Sequence, residues 1–298
     1  MDNMHENGRI SWHPAFFEAM QMELDDYQHC LQFIPEFPLT TEPLRIDVVI
    51  IKKTTDSPIK KNIAYIFRKI NIIEYKNPDD YVSVEDFYQV YGYACLYSTL
   101  KKNDMREQSL TFVESHYPQK LLTHLQEERG YNVEEKWPGI YIINGDILPI
   151  QIINNRKLLP EENIWLNGLD NILDAPELQR LTIEINRQGK AAQIKAYLNV
   201  VMRANIKILE EALKMSDTAL TLEQVFENAG LIAKWEARFK AEGEARGEAR
   251  GEARGEARGK EYATLSIAEN MVKLGLPIET IVSATQLEIE KVKSLYKS

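Results

Sequence analysis

From Trp12 to Leu24, large apolar residues recur at every fourth position, at Trp12, Phe16, Met20 and Leu24. Joined by Phe17, and with Pro14 in the first turn, they predict an amphipathic helix that also carries Glu18. After the Pro-punctuated stretch Ile34-Pro35-Glu36-Phe37-Pro38, the β-branched run Leu44 to Ile51 predicts a buried strand. A polar loop over Lys52 to Lys61 follows, with Asp56-Ser57-Pro58 as its turn. Ile63 to Phe67 and Ile70 to Lys76 read as further strands, ended by Asn77-Pro78-Asp79-Asp80. Val84, Phe87, Tyr88, Tyr91 and Leu96 then fall at helical spacings over Val84 to Leu100, and strands are expected at Leu110–Val113, Gly139–Ile143 and Ile147–Ile153. Helix, strands, helix, strands is the pattern of an α/β domain, expected over residues 1–155.

Beyond Pro160 the pattern turns helical, and Ile194, Tyr197, Leu198, Val201 and Met202 make a clear amphipathic stripe within a helical subdomain expected over 156–240. Residues 241–260 hold four copies of Gly-Glu-Ala-Arg, starting at Gly243. Five of the 14 glycines lie between 243 and 259, so helix propensity is poor, and Glu recurs four residues after Glu and Arg after Arg, with no favourable ion pair at i+3 or i+4. A helix supercoiled against a partner and a flexible spacer both fit this tract. The last unit, 261–298, reads as a helix Tyr262–Leu274 closed by Gly275, a short helix from Pro277 to about Thr285, and a final helix Glu288–Tyr296. That spacing suits a helix-turn-helix that binds DNA, and equally a small dimerisation module.

Charge changes the picture only when it is resolved along the chain. The 298 residues carry 45 acids and 36 bases, a net charge of −9, which argues against a general nucleic-acid binder. The segment Leu44 to Lys76 departs from this, with eight bases (Arg45, Lys52, Lys53, Lys60, Lys61, Arg68, Lys69, Lys76) against three acids (Asp47, Asp56, Glu74), leaving −14 for the rest. Two cysteines, Cys30 and Cys95, are too few for a disulfide framework, and no apolar run approaches the roughly 20 residues of a bilayer span, so a cytoplasmic protein without membrane contact is expected.

Two of the segment's acids carry the candidate chemistry. On a strand ending at Lys76, Glu74 and Lys76 share a face while Tyr75 points away. Asp47 stands in an apolar run, where an unpaired carboxylate is expensive to bury. Two carboxylates and a lysine from neighbouring strands form a notch suited to a hard divalent ion such as Mg²⁺, which takes oxygen ligands and can activate water beside a phosphoryl group. Taken alone, Glu74 and Lys76 are also readable as an edge-strand ion pair.

Asp47, followed 27 residues later by Glu74-Tyr75-Lys76, after a helix carrying Glu18, resembles the signature of the PD-(D/E)XK nuclease superfamily. The runs Trp12-His13-Pro14-Ala15-Phe16-Phe17-Glu18-Ala19, Pro43-Leu44-Arg45-Ile46-Asp47, Ile66-Phe67-Arg68 and Glu74-Tyr75-Lys76-Asn77-Pro78 are similar to bacterial recombination-promoting nuclease and transposase-like proteins. The resemblance implies a restriction-endonuclease-like core, with a four-stranded mixed central sheet flanked by helices, followed by an all-helical C-terminal region. It implies Asp47, Glu74 and Lys76 as catalytic residues; Asp47, Glu74 and the Tyr75 carbonyl as Mg²⁺ ligands, with Mn²⁺ able to substitute; and Glu18 as a further acid aimed at the same metal. The position before Asp47 is Ile46 rather than proline, which leaves the ligands unchanged. Gln89 and Tyr93 stand on the following helix, where such proteins place a polar residue near the site.

The expected activity is Mg²⁺-dependent hydrolysis of DNA phosphodiester bonds, with Arg45, Lys52, Lys53, Arg68 and Lys69 along the backbone. The expected assembly is a homo-oligomer formed through the repeat and tail. A non-catalytic, nuclease-like DNA-binding or assembly protein is the alternative.

Overall fold

In the computed structural model, which describes residues 10–35, 48–212 and 216–295, the expected stripe Trp12, Phe16, Met20 and Leu24 is buried along helix α1 (His13–Glu23). Ala15 and Ala19 on the same helix are fully buried and let it pack closely against α4 (Pro160–Asn167) and α6 (Lys195–Ala204).

Seven strands form one mixed sheet: β1 (Leu31–Ile34), β2 (Val48–Lys53), β3 (Ile70–Tyr75), β4 (Gln108–Glu114), β5 (Asn132–Trp137), β6 (Ile140–Asn144) and β7 (Ile150–Asn154). Their order is β1-β2-β3-β4-β7-β6-β5. β3, β4 and β7 are parallel at the centre, and the flanking pairs are antiparallel. The central strands are apolar on both faces, as expected of strands covered by helices on each side. Helix α2 (Val84–Lys101) crosses over from β3 to β4 and, with α3 (Gln119–Glu127), covers one face through Phe87, Val90, Ala94, Leu121 and Leu125. On the other face Phe16 of α1 stacks on Tyr75, with ring centroids 4.4 Å apart and planes 7° from parallel. The sheet is wider than the four strands that the resemblance implied.

Some expectations move. Ile63–Phe67 is no strand: Asn62–Ala64 form a 3₁₀ turn in which the Asn62 side chain accepts from the Ile63 amide at 2.8 Å, and Ile63, Ala64, Ile66 and Phe67 are buried around it. Lys52 and Lys53, read as the start of a loop, end β2, while Arg45 and Asp47 lie outside the described residues. β7 starts only at Ile150, and Ile147 is exposed. β1, β5 and α3 had no counterpart in the sequence pattern. At the β5–β6 turn, Gly139 sits at φ +76°, and a Cβ there would lie 2.6 Å from the Asn154 carbonyl, so the turn requires glycine.

The helices after the sheet are α4, α5 (Ala175–Gln188), α6, α7 (Ile206–Ala212) and α8 (Ser216–Ala229), and they belong to the same compact unit as the sheet, residues Met1–Leu231. The second unit, Ile232–Ser298, consists of α9 (Ile232–Lys273), α10 (Ile278–Thr285) and α11 (Ile289–Leu295) around Ala268, Ile281 and Val292. Gly275, at φ +73°, turns the chain between the first two of these. The Gly-Glu-Ala-Arg tract is helical throughout, inside the 42 residues of α9. No helix among the described residues is long and apolar enough to cross a membrane.

Candidate active site

Alternation along β3 sends Ile72 and Glu74 toward α2, and Ile73 and Tyr75 toward α1. Glu74 therefore reaches the C-terminal ends of the parallel strands on the α2 face, where open α/β sheets characteristically place ligands. Lys76 follows on the same side, its Nζ 3.5 Å from Glu74 Oε1 and 2.8 Å from Asp86 Oδ1. Asp86 is fixed by the start of α2. The Ser83 hydroxyl accepts from the Asp86 amide at 3.0 Å, and the Asp86 carboxylate accepts from the Ser83 amide at 2.9 Å. This capping box orients the carboxylate that receives the lysine.

The electrostatics of the pair are reciprocal. Burial pushes the Lys76 pKa down, but the hydrogen bond to Asp86 and the charge of Glu74 outweigh it and raise it above the usual value. Burial pushes Asp86 up, and its bonds from Lys76 and Ser83 outweigh that and hold it low. Lys76 is thus a firmly protonated cation at neutral pH.

A third acid was missed in the sequence. Glu74 is paired in register with Phe112 on β4, and Glu114, two residues further along, faces the same side. Glu114 is fully buried; its Oε2 accepts from the Val82 amide at 3.1 Å, while Oε1 has no partner among the described residues. Burial, reinforced by Asp80 and Asp86, pushes its carboxyl up to about 8. The signal was present: Glu114 closes the apolar run Leu110-Thr111-Phe112-Val113, just as Asp47 interrupts one.

The loop Asn77–Val82 leaving β3 borders two clefts. One of about 520 Å³ is lined by Trp12, Asn77, Asp79, Asp80 and Asn171, and the other, of about 380 Å³, by Asp79, Tyr81, His116, Tyr117 and Lys120. A larger cleft of about 590 Å³ lies away from this chemistry, beside Glu23 and Lys61. There the buried Glu23 pairs with Lys61 at 2.9 Å and accepts the Trp165 and Leu166 amides, which ties α1 to α4.

The remaining predicted site residues separate. The Glu18 carboxylate accepts from the Tyr197 amide at 2.6 Å in the first turn of α6, so it serves α6 on the Tyr75 face of the sheet, opposite the face of Glu74. Gln89 and Tyr93 stand three and seven residues after Asp86 on α2, on one stripe, and Gln89 Nε2 donates to the Tyr93 hydroxyl. Lys52 and Ile70 are paired in register at the far end of β3, about 13 Å of strand from Glu74. Lys53, Arg68 and Lys69 are at that end too, and Lys69 is engaged by Glu107 at 2.5 Å. The structure therefore assembles Glu74, Lys76, Asp86 and Glu114 and holds the described basic candidates apart from them. Asp47 precedes Val48, whose register partner is Glu74.

No family model matches the chain, and neither the curated proteins nor the solved structures compared with it contain a match.

Proposed function

We propose that the chain is a metal-dependent endonuclease that hydrolyses DNA phosphodiester bonds, with a core of the PD-(D/E)XK kind. The observation that carries this reading is the placement of Glu74 and Lys76, 3.5 Å apart at the C-terminal end of a central parallel strand, beside a second buried carboxyl with an unpartnered oxygen. An isolated surface ion pair requires none of these surroundings.

The donor set suits a hard divalent cation such as Mg²⁺ or Mn²⁺, because it is made of oxygens: the Glu74 carboxylate, the Tyr75 carbonyl and the carboxyl of Glu114. Among the described residues no three His, Cys, Asp or Glu side chains converge on one point, so the proposed set depends on Asp47, next in the chain to the residue paired with Glu74. When bound, the cation lowers the pKa of a water and offsets phosphoryl charge.

The chain's own residues supply the rest. Lys76, held protonated by Asp86, stabilises an anionic phosphate oxygen or orients the attacking water. Gln89 and Tyr93 continue the polar stripe that Asp86 begins, along the side of α2 that a substrate strand would follow. Lys61, Lys69 and Lys76 are paired with carboxylates, so Lys52, Lys53 and Arg68, with Arg45, are the bases proposed to meet the DNA backbone.

Plasmid nicking tests this directly. The native chain should cut only with Mg²⁺ or Mn²⁺, and Asp47→Ala, Glu74→Ala and Lys76→Ala should each lower the rate by about 100-fold or more. Metal-dependent cutting that survives all three substitutions refutes the site. Metal-independent DNA binding without cutting would identify a nuclease-like binding protein instead.

A further inference from the structure

α9 joins the small three-helix core only near Ala268, and the four Gly-Glu-Ala-Arg units lie upstream of that point. Successive helical residues turn by about 100°, so with the glycines as reference the Glu row lies at about +100° and the Arg row at about −60°. The two charges flank the glycines on opposite sides. Glu244, Glu248, Glu252 and Glu256 are exposed, as are Arg254 and Arg258, and a Cβ added at Gly251, Gly255 or Gly259 meets nothing within 4 Å.

The glycine row does not stop with the repeat. At the same i+4 spacing it continues as Ala263 and Ile267, and seven residues further it reaches Leu274. Ile267 is 55% exposed and Leu274 76% exposed. One exposed apolar side chain is ordinary, but two in line with an open row of glycines make a continuous seam about 35 Å long from Gly251 to Leu274.

We propose that this seam is covered by the same seam of a second copy, parallel and in register. The charges select both the occupant and its direction. In a parallel pair related by a twofold axis along the helices, the flank at +100° on one copy faces the flank at −60° on the other, so each Glu row lies along the partner's Arg row on both sides. In an antiparallel pair Glu meets Glu and Arg meets Arg. With four glutamates and four arginines per chain the parallel match is complete. The absence of side chains along the glycine row permits close approach of the backbones, and a period of four, longer than the helical repeat of about 3.6, gives the pair a right-handed wind. Exposed ion pairs contribute little affinity and mainly set orientation, so Ile267 and Leu274 supply most of the attraction.

Light scattering on the full chain tests the proposal. The native protein should have twice its chain mass of 34.4 kDa. A variant with Glu244, Glu248, Glu252 and Glu256 changed to Arg, and one with Arg246, Arg250, Arg254 and Arg258 changed to Glu, should each be monomeric alone and associate when mixed in equal amounts. Restoration by mixing also shows that both variants are folded. In a Cys95→Ser background, Gly243→Cys and Gly259→Cys should each cross-link to its own copy under mild oxidation. A monomeric native chain would mean that the seam serves another partner or none, and would overturn the proposal. So would charge variants that associate alone, a mixture that fails to associate, or cross-links formed only between position 243 and position 259.

Discussion

At the N-terminal end of β3, Asn71 uses every hydrogen-bonding atom of its side chain: Oδ1 accepts from the Arg68 amide and the Ser109 hydroxyl, both at 2.7 Å, and Nδ2 donates to the carbonyls of Ile51 and Arg68. At the C-terminal end, Glu114 on the neighbouring strand is just as buried and has one described bond, from Val82. Both ends carry polar groups inside an apolar sheet. One network is closed and titrates nothing, whereas the other leaves a carboxyl oxygen unpartnered and moves a proton equilibrium into the neutral range. A closed buried network serves the fold, and an open one beside a cleft is where chemistry is to be sought.

Three measurements break or sharpen this contrast. The largest effect is expected at the closed end: Asn71→Ala orphans the Arg68 amide and the Ser109 hydroxyl and should lower the unfolding free energy by about 3 kcal/mol in chemical denaturation. A loss below about 1 kcal/mol would show that the network is dispensable.

The open end should show itself through pH. Because burial raises the Glu114 pKa from 4.5 to about 8, the folded state binds its proton more tightly than the unfolded chain does. Its contribution is complete below about 4.5, declines as pH rises, and is gone above about 8. The native protein should lose on the order of 2 kcal/mol more across that window than Glu114→Gln, which keeps the shape and cannot ionise. Parallel pH–stability curves for the two proteins would remove Glu114 from the argument.

The smallest effect belongs to the exposed Lys69–Glu107 pair near the closed end. Lys69→Ala should change stability by no more than about 0.5 kcal/mol in the same assay. A larger change would mean that surface charge there does structural work and that the contrast between buried networks is incomplete.

The sequence was a good guide to some parts of the molecule for reasons the structure makes plain. The central strands announce themselves because both faces are buried, which forces apolar runs such as Ile70–Ile73 and Ile150–Ile153. β5 does not, because as an edge strand it exposes most of Asn132–Trp137 and reads as polar. α2 was visible from its periodicity, and the Ser83…Asp86 spacing marks its start. Glu74 and Lys76 were expected to share a face from strand alternation alone, and they do. Glu18 shows the limit of such reasoning: its partner, the Tyr197 amide, is 179 residues away, and no local pattern encodes a bond between α1 and the start of a remote helix. The Gly-Glu-Ala-Arg tract was ambiguous because glycine opposes a helix while alanine and the absence of β-branched residues favour one. The structure has it helical.

That tract has a modular consequence. Each unit brings one acid and one base, so gaining or losing a whole unit leaves the chain's net charge at −9. It lengthens or shortens α9 by about 6 Å and turns everything downstream by about 40°, while the order of residues around the helix is preserved. A helix built this way is a ruler graduated in four-residue steps, whose length is free to vary by tandem duplication without new chemistry at any position.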